Sequence, residues 1–500
     1  MMTKQDILKL LDTKNQNLPK ISTDSHFQKY ERVNVLVFEG EEKDAIKQFP
    51  CLKGQKDLGK TKDLREIICG KQIFWIHGLG KREKITNREI RRIFGKIYLG
   101  ALSGKPKRVV ITCPGQWAEL AALGIHVAAL DPSIYKPKKK DDKKEPAPEV
   151  VLIMKANEEA KAGVAIKKGQ ITAEGKNLMR ILGALPPNIL STEMYAEVIK
   201  SLAKQWKVNC KHVAKKDLKK YELLNAVSEG SGHDSQLLVL TIHPKKGKTK
   251  KSTALVGKGL CYDSGGLQGK QNYMKSMKED MAGSASVLGT ILNIVKNNIP
   301  LKETTYFLLP LAENMMGSAA MKADDVWMAG DGQTVEIIHT DAEGRLALAD
   351  AICYAKNNFK DIYRFYTIAT LTGSCIIALG EIYTGIVCNN EDLKKQIEEA
   401  GKESGDLVHG CPWDMEYDDN NSPVADIANL GEKDRDAGWI KAGLFLYRFV
   451  PKAKNEKDQA EFCHVDIAGS IDMKGAGRSW RRKGFSSGVG VCLLSELLGR

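Results

Sequence analysis

The sequence has no run of about 18 uninterrupted apolar residues, the length a membrane-spanning helix needs, so no membrane segment is expected. Its first twenty residues, MMTKQDILKLLDTKNQNLPK, lack the apolar core of a secretory signal, and a cytoplasmic location is expected. Eleven cysteines are present, an odd number, and no two form a CxxC. That excludes a regular disulfide framework and a Cys-type zinc site, and leaves free thiols in a reducing compartment. Nine histidines form neither HExxH nor HxH, so a metal here would be held mainly by oxygen ligands. Ser264 stands in DSGG rather than in a GxSxG elbow, which removes it as an obvious nucleophile.

What is present suits an ordinary globular protein: 500 residues, 42% hydrophobic and 7% aromatic. The length exceeds a usual single core and predicts two domains. The net charge of +14 is unevenly spread. Residues 1–150 carry 30 Lys and Arg against 19 Asp and Glu, a surplus of 11; residues 301–450 carry 13 against 25, a deficit of 12. A nucleic-acid surface would be sought in the basic N-terminal part, but no nucleic-acid motif accompanies it. A solvated, lysine-rich surface is the simpler reading.

In chain order, residues 1–30 read as weakly ordered. Strands are predicted at 33–38 (VNVLVF), 73–77, 108–112 and 149–154, with a helix over Asn87–Leu99. Residues 115–130 read as a helix followed by a strand, GIHVAALD. The charged, proline-containing Lys136–Pro148 segment reads as an exposed loop or hinge. A helix over Thr172–Leu185, stopped by Pro186-Pro187, leads into the second domain. There, strands are predicted at 235–242, 253–256, 306–311, 335–339, 364–371 and 462–468. Helices are predicted at 282–296, 346–356 and 443–450. The fold class expected is α/β: a smaller N-terminal α/β domain over 1–169, and a larger α/β/α domain with a central mixed sheet over 170–500.

Two glycine-rich stretches carry the chemistry. VGKGLCYDSGGLQGKQNYMKSMKEDMAGSASVLG runs from Val256 to Gly289, and IHTDAEGRLALAD from Ile338 to Asp350. Together they hold Lys258, Asp263, Lys270, Asp280, Asp341, Glu343 and Arg345. Converging in a cleft at strand ends, where ligands bind in open α/β sheets, these groups can hold two divalent ions and a reacting carbonyl. Each has a plainer reading. Asp341 and Glu343 precede a helix and can simply cap it. Lys258 and Lys270 can be surface loop lysines. Met274, Met277 and Met281 are pocket walls or ordinary core. Cys261 reads as a packed strand-end residue, and His464 as a satisfied core histidine.

These stretches resemble the signature segments of the leucyl aminopeptidase family, the M17 cytosol aminopeptidases. TDAEGRL is one signature, and VGKG…DSGG…K…MKxDM is an independent second. ALPPN at 184–188, ENM at 313–315, ATLTG at 369–373, SPVADIAN at 422–429 and HVDIAG at 464–469 are similar to further family segments, in family order. The likeness covers residues 170–500 strongly. Earlier in the chain only GIHVAALDPSIYKP matches.

The resemblance implies a macro-like N-terminal domain serving assembly, and a two-metal exopeptidase that forms a homohexamer and acts on peptides. One metal site would use Lys258, Asp263, Asp280 and Glu343. The more exchangeable one would use Asp263, Asp341 with its carbonyl, and Glu343. The ions would be Zn or Mn, with Mg or Co also suited. Lys270 would polarise the scissile carbonyl, and Arg345 would hold a bicarbonate ion as proton shuttle. Met277, Thr370, Gly373, Ala468 and Ile471 would line an apolar S1 pocket for leucine-like side chains. The sequence departs from the family pattern at His339, where Asn is usual, and at Cys261-Tyr262, where Thr-Phe is frequent. It departs again in MGSAAMKADDV, which lacks the usual proline and Arg-Pro-Gly. None of these is an expected ligand. The rival readings are a catalytically silent, M17-like binding or structural protein, and a narrow dipeptidase of the Cys-Gly type.

Overall fold

A computed structural model of the chain describes residues 2–61, 64–133, 146–245, 250–431, 436–453, 455, 458–472 and 480–500. Most of the low-complexity segment expected at Lys136–Pro148 lies outside these residues. The described residues divide into two compact α/β units. The smaller comprises 12–174 and 480–483, and the larger 2–11, 175–472 and 484–500. No helix among the described residues is long and apolar enough to cross a membrane.

The smaller unit is built on a six-stranded sheet. Its spatial order is Ile21–Asp24, Glu149–Ile153, Arg108–Thr112, Arg32–Val37, Gln72–Gly78 and Leu64–Cys69. All neighbours are parallel except the last pair. Helix Asn87–Ala101 opens on a capping box in which Thr86 and Glu89 satisfy each other's backbone N–H groups.

Two expectations for the N-terminal part fail. Residues 1–30 are not weakly ordered throughout: Lys4–Leu11, in the larger unit, is a helix with Ile7 and Leu11 buried, and Ile21–Asp24, in the smaller, pairs with Glu149–Ile153. GIHVAALD is not a strand, since Ala118–Ala129 is one continuous helix buried on nearly every side. A helix apolar all round carries no 3.6-residue signal, so its β-branched run imitated a buried strand. The helix expected at Thr172–Leu185 is also longer. It runs from Ala156 to Ala184, its first half written in Ala, Glu and Lys, and so passes through the expected boundary at 169/170.

The larger unit contains a mixed nine-stranded sheet. Eight strands follow the order Val408–Gly410, Thr384–Cys388, Glu461–Asp466, Ile362–Ala369, Ser252–Gly257, Thr304–Asn314, Gln236–Ile242 and Asn209–Ala214. The ninth, Gly259–Asp263, pairs with the far end of Thr304–Asn314. The four central strands are mutually parallel. Ala254 and Val256 pack with helix Gly344–Asn358 in the main core cluster. Leu255, pointing the other way, is equally buried, and helix Ala282–Asn297 also contacts this strand. Both faces are therefore covered, as parallel strands require.

The strand expected at Val335–His339 is only Thr334–Glu336. It belongs to a separate three-stranded sheet with Val326–Met328 and Ile427–Ala428. The Asp341 segment therefore approaches the large sheet from outside rather than continuing one of its strands.

Candidate active site

The carboxyl ends of the four central strands meet at one place. The residues there are Lys258, just after Ser252–Gly257; Thr370, just after Ile362–Ala369; Asp466, ending Glu461–Asp466; and Asn314, ending Thr304–Asn314. Asp263 ends the short ninth strand beside Asn314. The loop 264–281 and the 338–345 segment supply the remaining groups.

Lys258 Nζ lies 2.7 Å from Asp280 Oδ2 and 2.9 Å from Glu343 Oε1, and donates to the Thr370 carbonyl at 3.1 Å. Lys270 Nζ lies 2.6 Å from Asp263 Oδ2 and also pairs with Asp341. Asp263, Asp280 and Glu343 are all buried, and each offers a carboxylate oxygen within 4.8 Å of the others. Asp341 is the most exposed member and joins through Lys270. Six of the seven expected groups are thus directly linked. The seventh, Arg345, donates through Nη1 to the Asn429 carbonyl at 2.8 Å, with its charge near Glu343 and Asp466.

The plainer readings can now be decided. Glu343 stands at the N-cap of helix Gly344–Asn358 but makes no side-chain cap hydrogen bond; its carboxylate turns to Lys258. Lys258 is 2% exposed, not a surface lysine. Met277 and Met281 are buried. Burial pushes the Cys261 thiol well above its ordinary value, so it is a packed residue. Ser264 Oγ donates to the Asn314 carbonyl. His464 is a fully buried core histidine with Nδ1 against Thr367 Oγ1 at 2.8 Å, but it is not fully satisfied as expected, since among the described residues its Nε2 has no hydrogen-bond partner. All eleven cysteines carry free thiols.

Glycine makes room for this packing. A Cβ on Gly344 would lie 2.5 Å from Lys258 Nζ, so only glycine lets the lysine reach Glu343. A Cβ on Gly283 would run into the Ile368 carbonyl oxygen and meet Lys258 N at 2.8 Å. Helix Ala282–Asn297 therefore starts in direct backbone contact with the strand ends, with Ser284 N donating to the Lys258 carbonyl at 2.8 Å.

Electrostatics mark the cluster as costly. Burial, with the charges of neighbouring carboxylates, pushes Asp280 and Glu343 up to about 7 and Asp341 up to about 6, against the pull of the lysines. Burial works against the ammonium of Lys258, but Asp280, Glu343 and Asp263 outweigh it and hold the group above the ordinary lysine value. Lys270 is raised in the same way, chiefly by Asp263. Burial lowers Arg345 to about 10. Among the described residues, Glu343 Oε2 and Arg345 Nε have no hydrogen-bond partner. Asp280 Oδ2 faces Lys258 without hydrogen-bond alignment. Buried carboxylate oxygens without hydrogen-bond partners are groups that could bind a divalent cation.

Thr370, Gly373 and Ala468, expected to line a substrate pocket, lie on two segments that Asp466 joins. Asp466 Oδ1 accepts from Leu371 N at 3.2 Å and from Ala468 N at 3.1 Å, and Oδ2 accepts from Thr372 Oγ1 at 2.6 Å. Thr370, Gly373 and Ala468 are so held on neighbouring backbone. Gly373 is exposed at the start of helix Gly373–Leu379. The Met277 carbonyl accepts from Asp280 N, and Ile471, fully buried, bonds Ile467 O.

Sequence reasoning missed the residues that orient these groups. Thr370 Oγ1 donates to Asp280 Oδ1 at 2.6 Å, beyond the pocket role expected of it. Asn314 Nδ2 donates to Asp263 Oδ1 at 2.8 Å. Asn429 accepts from Ile338 N and donates to the His339 carbonyl, fixing the segment that carries Asp341. Asp466 ties the ends of strands Ile362–Ala369 and Glu461–Asp466. The only signal was that each lies within a short segment already singled out: ATLTG, ENM, SPVADIAN and HVDIAG.

Comparison with known proteins agrees with this geometry. The family model for the catalytic domain of the cytosol aminopeptidase family matches residues 177–495. A probable cytosol aminopeptidase of Aromatoleum aromaticum is 35% identical over 434 residues, 84% of this chain and 83% of that protein. The cytosol aminopeptidase of Rickettsia prowazekii is 33% identical over 444 residues, 86% of each. Among solved structures, the bottromycin maturation enzyme BotP superposes with a TM-score of 0.74 at 25% identity, covering 94% of this chain and 98% of that one. With two thirds or more of these relatives spanned and both signature stretches folded into one buried centre, the chain belongs to the cytosol aminopeptidase family, a family of peptidases.

Proposed function

We propose that the protein is a metal-dependent aminopeptidase releasing leucine-like residues from the N-termini of peptides, with two divalent ions, Zn or Mn, or alternatively Mg or Co. The observation that carries this reading is the trio of buried carboxylates, Asp263, Asp280 and Glu343, with oxygens within 4.8 Å of one another. Lys258, Asp263, Asp280 and Glu343 would hold one ion, and Asp263, Asp341 and Glu343 the other. When bound, the pair supplies an acidified water and polarises the scissile carbonyl.

The chain's own groups do the rest. Lys270, the less buried of the two lysines, presents a fixed positive charge where the carbonyl oxygen becomes negative. Lys258 donates a lone pair only after its Nζ gives up a proton, and the surrounding carboxylates hold that proton until other positive charge takes its place. Arg345, buried and with Nε unpartnered among the described residues, suits a small anion such as bicarbonate, which would carry the proton. Met277, Thr370, Ala468 and Ile471 are buried and uncharged, and with Gly373 they would form a slot for an aliphatic side chain. The same reading makes the protein a cytoplasmic homohexamer.

Hydrolysis of a leucyl anilide by protein stripped of metal, then refilled with Mn or Zn, tests the proposal. Activity lost on stripping, restored on refilling and absent in refilled Lys270→Ala is expected. A folded, metal-loaded wild type with no turnover on a panel of N-terminal residues would overturn it.

A further inference from the structure

The two signature stretches do not touch through their acidic groups alone. Asn314, 1% exposed, ends the strand Thr304–Asn314 and is the register partner of Asp263. Its Nδ2 donates at once to Asp263 Oδ1, at 2.8 Å, and to the Thr340 carbonyl, at 3.0 Å. Both partners are acceptors, so the amide has one workable orientation. Its own carbonyl accepts Ser264 N and Ser264 Oγ, each at 2.9 Å. One side chain therefore fixes Asp263 on one stretch and the residue preceding Asp341 on the other.

The remaining acidic arm is fixed separately. Asp280 takes its hydrogen bond from Thr370 Oγ1, and Lys258 bonds the Thr370 carbonyl. No hydrogen bond from Asn314 reaches this side.

We propose that Asn314 is a positioning residue that sets the spacing between the Asp263 and Asp341 carboxylates, and so governs occupancy of the cation position those two share. It touches no reacting atom. The inference rests on the metallopeptidase reading above. It adds that, although Asp263 serves both cation positions, the one that also uses Asp341 depends more on Asn314, which holds both of its arms. An orienting partner behind a metal-binding carboxylate changes affinity by about 10- to 100-fold when removed.

The test compares wild type with Asn314→Asp and Asn314→Ala by Mn titration calorimetry, with thermal melting of the metal-free proteins alongside. Asn314→Asp preserves volume and removes the donor, so it serves if the alanine variant folds poorly. Expected is an affinity for the second ion weakened by about 10- to 100-fold, a smaller loss for the first, and leucyl-anilide kcat restored at saturating Mn. A merely structural role would lower both affinities equally, together with the melting temperature, and that result overturns the inference. So does a variant that titrates like wild type. A wild type that takes up no ion overturns the metallopeptidase reading, and this inference with it. Two ions in wild type and no change in the variants would overturn the role of Asn314 alone.

Discussion

Thr370 holds Asp280 by a hydroxyl hydrogen bond of 2.6 Å, and it does so from the end of the strand whose last carbonyls also receive Lys258. One residue thus orients an anionic and a cationic member of the centre. Because the hydroxyl is buried, its deletion leaves Asp280 Oδ1 without this partner. Thr370→Val keeps the shape and removes the donor. The expected result is a folded protein with roughly tenfold weaker metal affinity, and activity recovered in Thr370→Ser. Equal metal affinities in Val and Ser variants would show that the hydroxyl plays no part.

Gly344 and Gly283 are predicted to fail differently when changed to alanine. At Gly344 the new methyl meets the end of a flexible side chain, Lys258, which can swing aside. The protein should fold, losing about 1–3 kcal/mol, but lose most activity as Lys258 leaves Glu343. At Gly283 the methyl meets the Ile368 backbone, which cannot move without breaking the sheet. Gly283→Ala should be insoluble or strongly destabilised. Circular dichroism melts with activity assays separate the two outcomes.

His126 offers a pH signature away from the acidic centre. Its Nε2 bonds the Pro19 carbonyl at 3.0 Å, and burial lowers its pKa from 6.5 to about 4. Between those values the unfolded chain binds the extra proton, so the stability tied to neutral His126 is complete above about pH 6.5. It is lost as pH falls toward 4. In His126→Gln this term is absent. The stability gap between wild type and variant should therefore narrow by up to about 3 kcal/mol from pH 7 to pH 4. Parallel curves in urea melts would contradict the assignment.

The thiols predict a count. Eight of the eleven cysteines are buried, and only Cys51, Cys69 and Cys210 are exposed or partly so. A thiol reagent should modify these three in the native protein and all eleven after denaturation. Peptide mapping that finds Cys261 or Cys375 labelled first would show a more open centre than described here.

The acidic centre was legible because its members are crowded into two contiguous stretches, where Lys258, Asp263, Lys270, Asp280, Asp341 and Glu343 can be seen together. Strands Gln236–Ile242, Ser252–Gly257, Thr304–Asn314, Ile362–Ala369 and Glu461–Asp466 were legible because apolar, β-branched runs bounded by turns mark buried strands. What stayed hidden was of two kinds. Ala118–Ala129 is apolar on every side, so composition could not separate helix from strand. Asn314, Thr370, Asp466 and Asn429 act through partners 26 to 95 residues away. No local pattern carries such pairings; they exist only once the strands lie side by side.

That separation also has a consequence in time. Lys258 precedes Glu343 by 85 residues and the Thr370 carbonyl by 112. On the ribosome, at about 5–20 residues per second, the lysine waits on the order of ten seconds for its last partner to be made. Strand Ile362–Ala369 must then slip in beside Ser252–Gly257, with Glu461–Asp466 following on its other side. Until those strands are made, the set of neighbours that holds Lys258 beside Glu343 and the Thr370 carbonyl is incomplete.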